Sequence, residues 1–242
     1  MLGCGFFIVC DHLDETEVNV LRKQFIVIGL GRFGSSLTRT LIQNGHEVLA
    51  VDKNEQLVQE ISTIATHAIQ ADSTDKLALQ EIGVQNFQHA IVAIGEDLQA
   101  SILTTLLLKE LNVPEVTVKA RNETHGTVLS KVGADHVVFP ERDMATRLGH
   151  QLSSETLIDY IELSPDYNLV EIKAPRGMDG KSLKTLNVRA RYGCTILAVK
   201  TGTKIKISPP ADEEIHSEDR LLMIGRNEDI RRLEDDYERK GR

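Results

Sequence analysis

The sequence lacks a run of about 20 consecutive apolar residues, the length that a membrane-spanning helix requires. It also lacks an excess of positive charge, because 28 Lys and Arg residues stand against 36 Asp and Glu residues and the formal net charge is −8. That balance argues against nucleic acid or an anionic membrane surface as the main partner. We therefore expect no nucleic-acid partner and no direct insertion into a membrane.

Cysteine is scarce as well. The three cysteines, Cys4, Cys10 and Cys194, are odd in number and lack metal-ligand spacing, so they indicate neither a disulfide framework nor a zinc site. The cytosol is the expected compartment. Residues 1–22 start with a short apolar stretch without a preceding basic region, which is not the layout of a secretory signal. We expect these residues to form a disordered N-terminal extension.

Residues 23–52 combine an apolar run, a glycine-rich turn and a helical repeat. Residues 25–28 are all apolar, as in a strand buried on both faces, and lead into Gly29, Gly31 and Gly34 at Gly-x-Gly-x-x-Gly spacing. Gly29 would allow a sharp turn, Gly31 a close approach to a pyrophosphate, and Gly34 close packing of helix on strand. The pattern predicts a phosphate site at the positive end of that helix.

Two charged residues refine this prediction. Asp52 lies 23 residues after Gly29, at the end of the next predicted strand, where a carboxylate would hold a ribose diol and repel the 2′-phosphate of NADP. Arg32 lies inside the glycine turn, and a fixed cation there suits a ligand with more phosphate charge than a dinucleotide carries. Two plainer interpretations stay open: a glycine turn that binds nothing, and Arg32 as a solvated surface side chain.

Strands and helices continue to alternate up to residue 140. Six strand–helix repeats in residues 23–140 favour an α/β fold, a Rossmann-like doubly wound parallel sheet. Ligands of such sheets bind at the carboxyl ends of the strands. This rule gathers the following residues around one crevice: Gly29 to Gly34, Asp52, Asp72 with Ser73, and Ala93 to Glu96.

The period changes after residue 140. Residues 141–163 are predicted to form crossover or linker helices, since Met144, Leu148 and Leu152 recur on one helical face and residues 155–161 add further apolar positions. Residues 164–242 are predicted to form a small C-terminal α+β domain with strands at 168–173, 195–200, 203–207 and 220–224.

The motifs, taken together and in order, resemble a known family. They are GLGRFG, VLAVD, Ala93-Ile94-Gly95, LTTLLLKEL, the GAD of residues 133–135, Pro140-Glu141 and LNVRARYGCTILAVK. This set is similar to the KtrA-type regulatory subunits of Ktr potassium-uptake systems, which are built from RCK domains, also named TrkA-N and TrkA-C. The resemblance runs from Lys23 to the end of the chain.

The resemblance implies a non-enzymatic, cytoplasmic protein at the inner face of the cell membrane. It implies a homodimer that assembles into a homo-octameric ring beneath a KtrB-type potassium channel subunit. ATP or ADP would occupy the crevice, and their exchange would change the shape of the ring.

The resemblance also implies roles for individual residues. Arg32 would sense the third phosphate, and the Asp72-Ser73 turn would border the adenine. Glu141 would help to hold a divalent cation, such as Mg²⁺ or Ca²⁺, between two nucleotides at a dimer interface; the plainer interpretation is a helix first-turn acid. The implied nucleotide contacts are Gly29, Gly31, Arg32, Phe33, Gly34, Asp52, Lys53, Asp72, Ser73, Ala93, Ile94, Gly95, Lys119 and Arg121, the last two with a surface-charge alternative.

A second ligand is implied for the C-terminal domain, because the family binds cyclic-di-AMP at the dimer interface of that domain. The implied contacts are Leu186, Asn187, Arg189 and Arg191. Some relatives have a histidine and an asparagine nearby, where this chain has Lys204 and Thr195.

Two other functions stay open: an NAD(H)-binding redox sensor of the TrkA type and an NAD-dependent dehydrogenase. A dehydrogenase needs a general acid or base beside the nicotinamide. After residue 140 the histidines, His150 and His216, fall in a predicted connecting helix and a predicted edge loop. Neither is placed for catalysis, so the dehydrogenase is the weaker alternative.

Overall fold

A computed structural model describes residues 22–154 and 156–239. The predicted N-terminal extension, apart from Arg22, lies outside the described residues. The chain divides into two compact units between Phe139 and Pro140. Within the described ranges, every helix is too short or too polar to cross a bilayer.

The first unit contains a sheet of six parallel strands. Their spatial order, β3-β2-β1-β4-β5-β6, is that of a doubly wound nucleotide-binding fold. The chain direction reverses on either side of β1, so the carboxyl ends of β1 and β4 border a crevice. The strands are β1 (Gln24–Ile28), β2 (Glu47–Asp52), β3 (His67–Gln70), β4 (His89–Val92), β5 (Glu115–Lys119) and β6 (His136–Val138).

A helix follows each of the first five strands. Four of these helices start at an Asn or Asp whose side chain accepts a backbone N–H of the first turn, namely Asn54, Asp75, Asp97 and Asn122. The first helix is the exception, since it starts at Gly31 without a side-chain cap. The helices are α1 (Arg32–Gln43), α2 (Glu55–Ser62), α3 (Lys76–Ile82), α4 (Leu98–Glu110) and α5 (Glu123–Lys131).

Strand β1 is buried on both faces, as its apolar run predicts. Ile26 and Ile28 belong to the hydrophobic cluster on one side of the sheet, and Val27 belongs to the cluster on the other side. Burial of each such side chain contributes about 1.5–3 kcal/mol relative to exposure. The strand that leads into the glycine turn is therefore firmly anchored.

The second unit contains an antiparallel sheet of order β11-β10-β13-β8-β7 and a two-stranded sheet of β12 and β9. Together with the parallel sheet, it confirms the predicted fold class. Its helices are α6 (Pro140–Ser153), α7 (Leu183–Leu186), α8 (Val188–Tyr192) and α9 (Asn227–Arg239), and its strands are β7 (Leu157–Ser164), β8 (Tyr167–Lys173), β9 (Lys181–Ser182), β10 (Thr195–Thr201), β11 (Lys204–Ile207), β12 (Glu214–Ile215) and β13 (Arg220–Arg226).

One prediction for the linker is wrong. Residues 155–161 were expected to continue the helices of residues 141–163, but the helix ends at Ser153 and β7 follows as an edge strand paired with β8. Glu155 lies outside the described residues. The apolar positions of this segment fit either period, and the tight turn before Tyr167 brings the segment antiparallel to β8, where pairing decides its conformation.

Candidate functional site

The turn after β1 depends on two glycines. Gly29 has φ of +95°, and a Cβ at this position would lie 3.0 Å from the backbone of Ala93 and Ile94. A Cβ at Gly34 would lie 1.8 Å from the carbonyl oxygen of Gly29. Both positions therefore require glycine, because the start of α1 packs directly on the turn.

Gly31 has no such constraint from the fold. Its φ of −62° suits any residue, and a Cβ there would meet no protein atom within 4 Å. It is the N-cap of α1 but has no side chain to accept the first N–H groups of the helix. Open space in front of an uncapped helix start fits an anionic group such as phosphate.

A cavity of about 440 Å³ lies at the carboxyl ends of β1 to β4. Its volume is in the range of small-molecule sites. Nine of the predicted residues line it: Gly29, Gly31, Asp52, Lys53, Asp72, Ser73, Ala93, Ile94 and Gly95.

Asp52 joins the end of β2 to the glycine turn. One carboxylate oxygen, Oδ2, accepts the N–H of Leu30 at 2.6 Å, and the other, Oδ1, accepts the N–H of Asn54 at 2.8 Å. Each oxygen has a second lone pair. The carboxylate is therefore fixed in the cavity wall and still able to accept a hydrogen bond from a ribose hydroxyl.

The turn after β3 contributes Asp72 and Ser73 in different ways. Asp72 Oδ1 accepts the hydroxyl of Thr74 at 2.6 Å and its N–H at 2.9 Å, and these hydrogen bonds hold the pKa of Asp72 below its usual value. The Ser73 hydroxyl is buried and shares a hydrogen bond of 2.8 Å with Thr104 of α4. Ser73 therefore fixes the turn to α4 through its hydroxyl.

The predicted cations lie beside the cavity, outside its lining. Arg32 is the first residue of α1 and is exposed, and its guanidinium makes no hydrogen bond or ion pair within residues 22–154 and 156–239. Lys119 ends β5, and a Cβ on Gly95 would lie 3.2 Å from its Nζ, which is also 5.7 Å from the centre of the Phe33 ring. Arg121 is exposed. Positive charge thus borders the glycine turn.

Sequence reasoning missed part of the lining. Asp97 caps α4 by accepting the N–H of Ala100 at 2.9 Å, and its Oδ2 lies 3.8 Å from Lys53 Nζ. An acid just before an apolar helix is an N-cap signal, so Asp97 could have been found. Leu57, Ala71, Thr74 and Ala100 also line the cavity and carry no comparable signal.

Comparisons with known proteins follow this geometry. The TrkA-N domain model matches residues 25–140 and the TrkA-C domain model matches residues 169–236. Ktr system potassium uptake protein C of Bacillus subtilis is 52% identical over 88% of this chain and 97% of the relative. The chain belongs to the Ktr potassium-uptake family. Ktr system potassium uptake proteins A are 49% identical in B. subtilis, over 90% of this chain and 98% of the relative, and 35% identical in Vibrio alginolyticus, over 84% and 92%.

Solved structures show the same fold at lower identity. The GsuK RCK domain is 18% identical with a TM-score of 0.63, over 90% of this Ktr chain and 48% of that chain. The GsuK channel is 19% identical with a TM-score of 0.65, over 89% of this chain and 39% of that chain. This Ktr chain therefore spans less than half the length of those chains, and the likeness is one of fold.

Glu141 of this Ktr chain belongs to the second unit. It is the second residue of α6 and is exposed, with Asp143 in the same first turn. Acids at this end of a helix are favoured by the helix dipole alone. Among the described residues, no three His, Cys, Asp or Glu side chains are grouped to hold a metal ion, so Glu141 would need ligands from elsewhere.

The residues implied for cyclic-di-AMP divide into two pairs. Asn187 joins α7 to α8 in the left-handed conformation, with φ of +45°, and Arg189 is exposed on α8. Leu186 is buried in the core. Arg191 donates to the hydroxyls of Tyr192 at 3.0 Å and Tyr237 at 3.2 Å. Only Asn187 and Arg189 thus present polar groups that are open to a ligand.

Proposed function

We propose that this chain is the non-enzymatic regulatory subunit of a KtrAB-type potassium-uptake channel and binds ATP or ADP in its Rossmann crevice. It acts at the cytoplasmic face of the membrane through a KtrB-type channel subunit. The observation that supports nucleotide binding is the uncapped start of α1 at Gly31, which opens beside a cavity of about 440 Å³. Membership of the Ktr family supports the channel partner.

Arg32 favours ATP and ADP over NAD(H). Its guanidinium is exposed at the first position of α1, next to the expected phosphates. Arginine binds phosphate oxygens through charge-assisted hydrogen bonds, so its contribution should grow with the number of phosphates it reaches. An NAD(H)-binding redox sensor is the second candidate, because the same crevice and the Asp52 carboxylate would hold a dinucleotide.

Two exposed apolar surfaces support assembly. On α6, Met144, Leu148 and Leu152 are 60%, 49% and 78% exposed at a spacing of four residues. Helix α4 is apolar on all sides, with Leu98 and Leu106 partly exposed. Apolar stripes of this kind mark contact surfaces. The proposed homodimer would use α6, and dimers would join through α4 into a homo-octameric ring.

The gating mechanism would be a population shift between two ring shapes. ATP and ADP need only bind the two shapes with different affinities, so no hydrolysis is required. Moving an equilibrium from 1:99 to 99:1 takes about 5.5 kcal/mol of differential binding. Shared among eight sites, each nucleotide would supply less than about 1 kcal/mol.

Two further ligands belong to this proposal. A divalent cation such as Mg²⁺ or Ca²⁺ would be held by Glu141, by its counterpart on a second subunit and by nucleotide phosphates, since these hard cations prefer oxygen ligands. Cyclic-di-AMP would bind to the second unit, with Arg189 on its phosphate. The exposure of Arg189 supports that role.

Substitution of Arg32 tests the nucleotide proposal. Arg32→Ala is expected to lower ATP affinity about tenfold or more, because it removes a charge-assisted contact to the third phosphate, and to change ADP affinity little. Isothermal titration of both nucleotides measures this difference. Arg39→Ala, an exposed arginine farther along α1, is the matched control and should leave both affinities unchanged. Equal losses for ATP and ADP in Arg32→Ala would contradict the sensing role.

A further inference from the structure

The second unit contains a cavity of about 700 Å³. It lies between the end of α6, the β7–β8 hairpin and α9, and the segment from Leu186 to Arg191 takes no part in its lining. Its volume is suited to a small molecule. It is therefore separate from the proposed cyclic-di-AMP contacts.

Acidic groups line this cavity at two places. Glu234 of α9 accepts hydrogen bonds from the hydroxyls of Ser154, at 3.0 Å, and Thr156, which fixes it near the start of β7. Asp235 follows it, and Glu162 lines the cavity near the other end of β7. At a rise of about 3.3 Å per residue, the six positions from Thr156 to Glu162 span up to about 20 Å. The acids thus form two separated poles.

The wall between the two poles is mostly apolar. Leu157, Val170 and Ile230 line it, together with the ring of Tyr160, which meets His150 edge-on at 4.7 Å between centroids. Arg231 is the one arginine or lysine in the lining. A ligand that fits this wall would be positively charged at its ends and aliphatic between them.

Two buried amide oxygens reinforce this reading. Asn168 and Asn227 both line the cavity, and their Oδ1 atoms are the buried side-chain polar atoms without a hydrogen-bond partner in the described part of this unit. Asn227 Nδ2 donates to the carbonyl of Pro165 at 3.0 Å, which leaves Oδ1 as an acceptor. Buried acceptors without donors are costly, so both favour a ligand rich in N–H groups.

We propose that this cavity binds a linear organic polyamine. Ammonium groups are donors without acceptor capacity, as the carboxylates and amide oxygens require, and the methylene segments would cover Leu157, Val170 and Tyr160. A single metal ion matches less well, because the cavity is large and no cluster of three His, Cys, Asp or Glu residues that could hold a metal ion occurs within the described residues.

Isothermal titration of the full chain with spermidine, in buffer of near-physiological salt, tests this proposal. One saturable site per chain is expected. The double substitution Glu162→Gln with Asp235→Asn should weaken spermidine binding at least tenfold. The control Asp212→Asn with Glu214→Gln removes the same charge from exposed positions outside the cavity and should bind like the unmodified chain.

A second variant tests the cavity without a change of charge. Ser153→Trp places a large ring at an exposed position of the lining and should also abolish saturable binding, while thermal melting shows whether each variant stays folded. The proposal is overturned if the unmodified chain shows no saturable binding. It is also overturned if the two double variants lose affinity equally, which would indicate general attraction to an acidic protein, or if folded Ser153→Trp binds unchanged.

Discussion

The two units form their candidate nucleotide sites from different parts of the chain. In the first unit, the glycine turn and the ends of parallel strands shape the cavity, and the uncapped start of α1 opens beside it. In the second unit, the segment implied for cyclic-di-AMP is arranged by side-chain contacts, among them those of Arg191 with Tyr192 and Tyr237. A site shaped by backbone can be recognised from residue spacing, whereas one shaped by side chains cannot.

The tyrosine cluster shows how side chains decide a role. The Tyr192 hydroxyl donates to Asp236 Oδ2 at 2.9 Å, and the Arg191 guanidinium lies 5.0 Å from the Tyr192 ring centre and 5.9 Å from that of Tyr237. Burial and the hydrogen bond to Asp236 raise the pKa of Tyr192 to about 12. Arg191 therefore holds α8 against α9, a role that its sequence motif does not reveal.

The largest effect is expected in the glycine turn. Gly34→Ala should lower the free energy of unfolding by about 3 kcal/mol or more, because its methyl group would overlap the Gly29 carbonyl. Gly31→Ala should change stability by less than about 0.5 kcal/mol, because its methyl group meets no protein atom. Chemical denaturation measures both values.

Nucleotide binding completes this comparison. Folded Gly31→Ala should bind ATP at least tenfold more weakly, because the methyl group would occupy the space where a phosphate approaches the backbone. Unchanged ATP affinity in Gly31→Ala would contradict a phosphate at this helix start. Equal stability of the two alanine variants would contradict the backbone account of the first unit.

An intermediate effect is expected from the two arginines of α8. Arg191→Ala should lower the free energy of unfolding by about 1–2 kcal/mol, since it removes two hydrogen bonds and the contact with two tyrosine rings. Arg189→Ala should leave stability unchanged and weaken cyclic-di-AMP binding about tenfold. Denaturation and titration separate the two roles. The assignment is wrong if Arg189→Ala is the less stable variant.

The smallest effect concerns Asp72. Because hydrogen bonds from Thr74 hold the pKa of Asp72 below its unfolded value, its contribution to stability is present above about pH 4 and is lost as the pH falls further. Asp72→Asn should therefore cost a few tenths of a kcal/mol at pH 7, a small figure because the carboxylate is exposed. The difference from the unmodified chain should shrink toward pH 3 in melting experiments. A difference that grows in acid would show the sign to be wrong.

The sequence predicts the first unit well because its signals are local. Apolar runs mark buried strands, and Asn or Asp caps mark four of the helix starts. Strand β7 was missed because its pairing with β8 is a tertiary contact, and its apolar residues fit a helix as well. Helix α8 was missed because it starts from the left-handed Asn187, a conformation that residue type alone does not specify.

The site shows the same limit. Gly29, Gly31 and Asp52 follow from spacing, since the ends of parallel strands meet at one edge of a sheet. The inward-facing hydroxyl of Ser73 depends on Thr104, which is 31 positions away in the chain. Which residues a cation such as Arg32 reaches is likewise decided by three-dimensional position.

The most direct test of the central claim is the melting temperature of the purified chain with saturating ATP, ADP, NADH or cyclic-di-AMP. A ligand at a hundred times its dissociation constant adds about 2.7 kcal/mol of stability, enough for a clear shift. The account predicts that ATP and ADP raise the melting temperature most and that Arg32→Ala reduces the ATP shift more than the ADP shift. A larger shift with NADH than with ATP or ADP would contradict it.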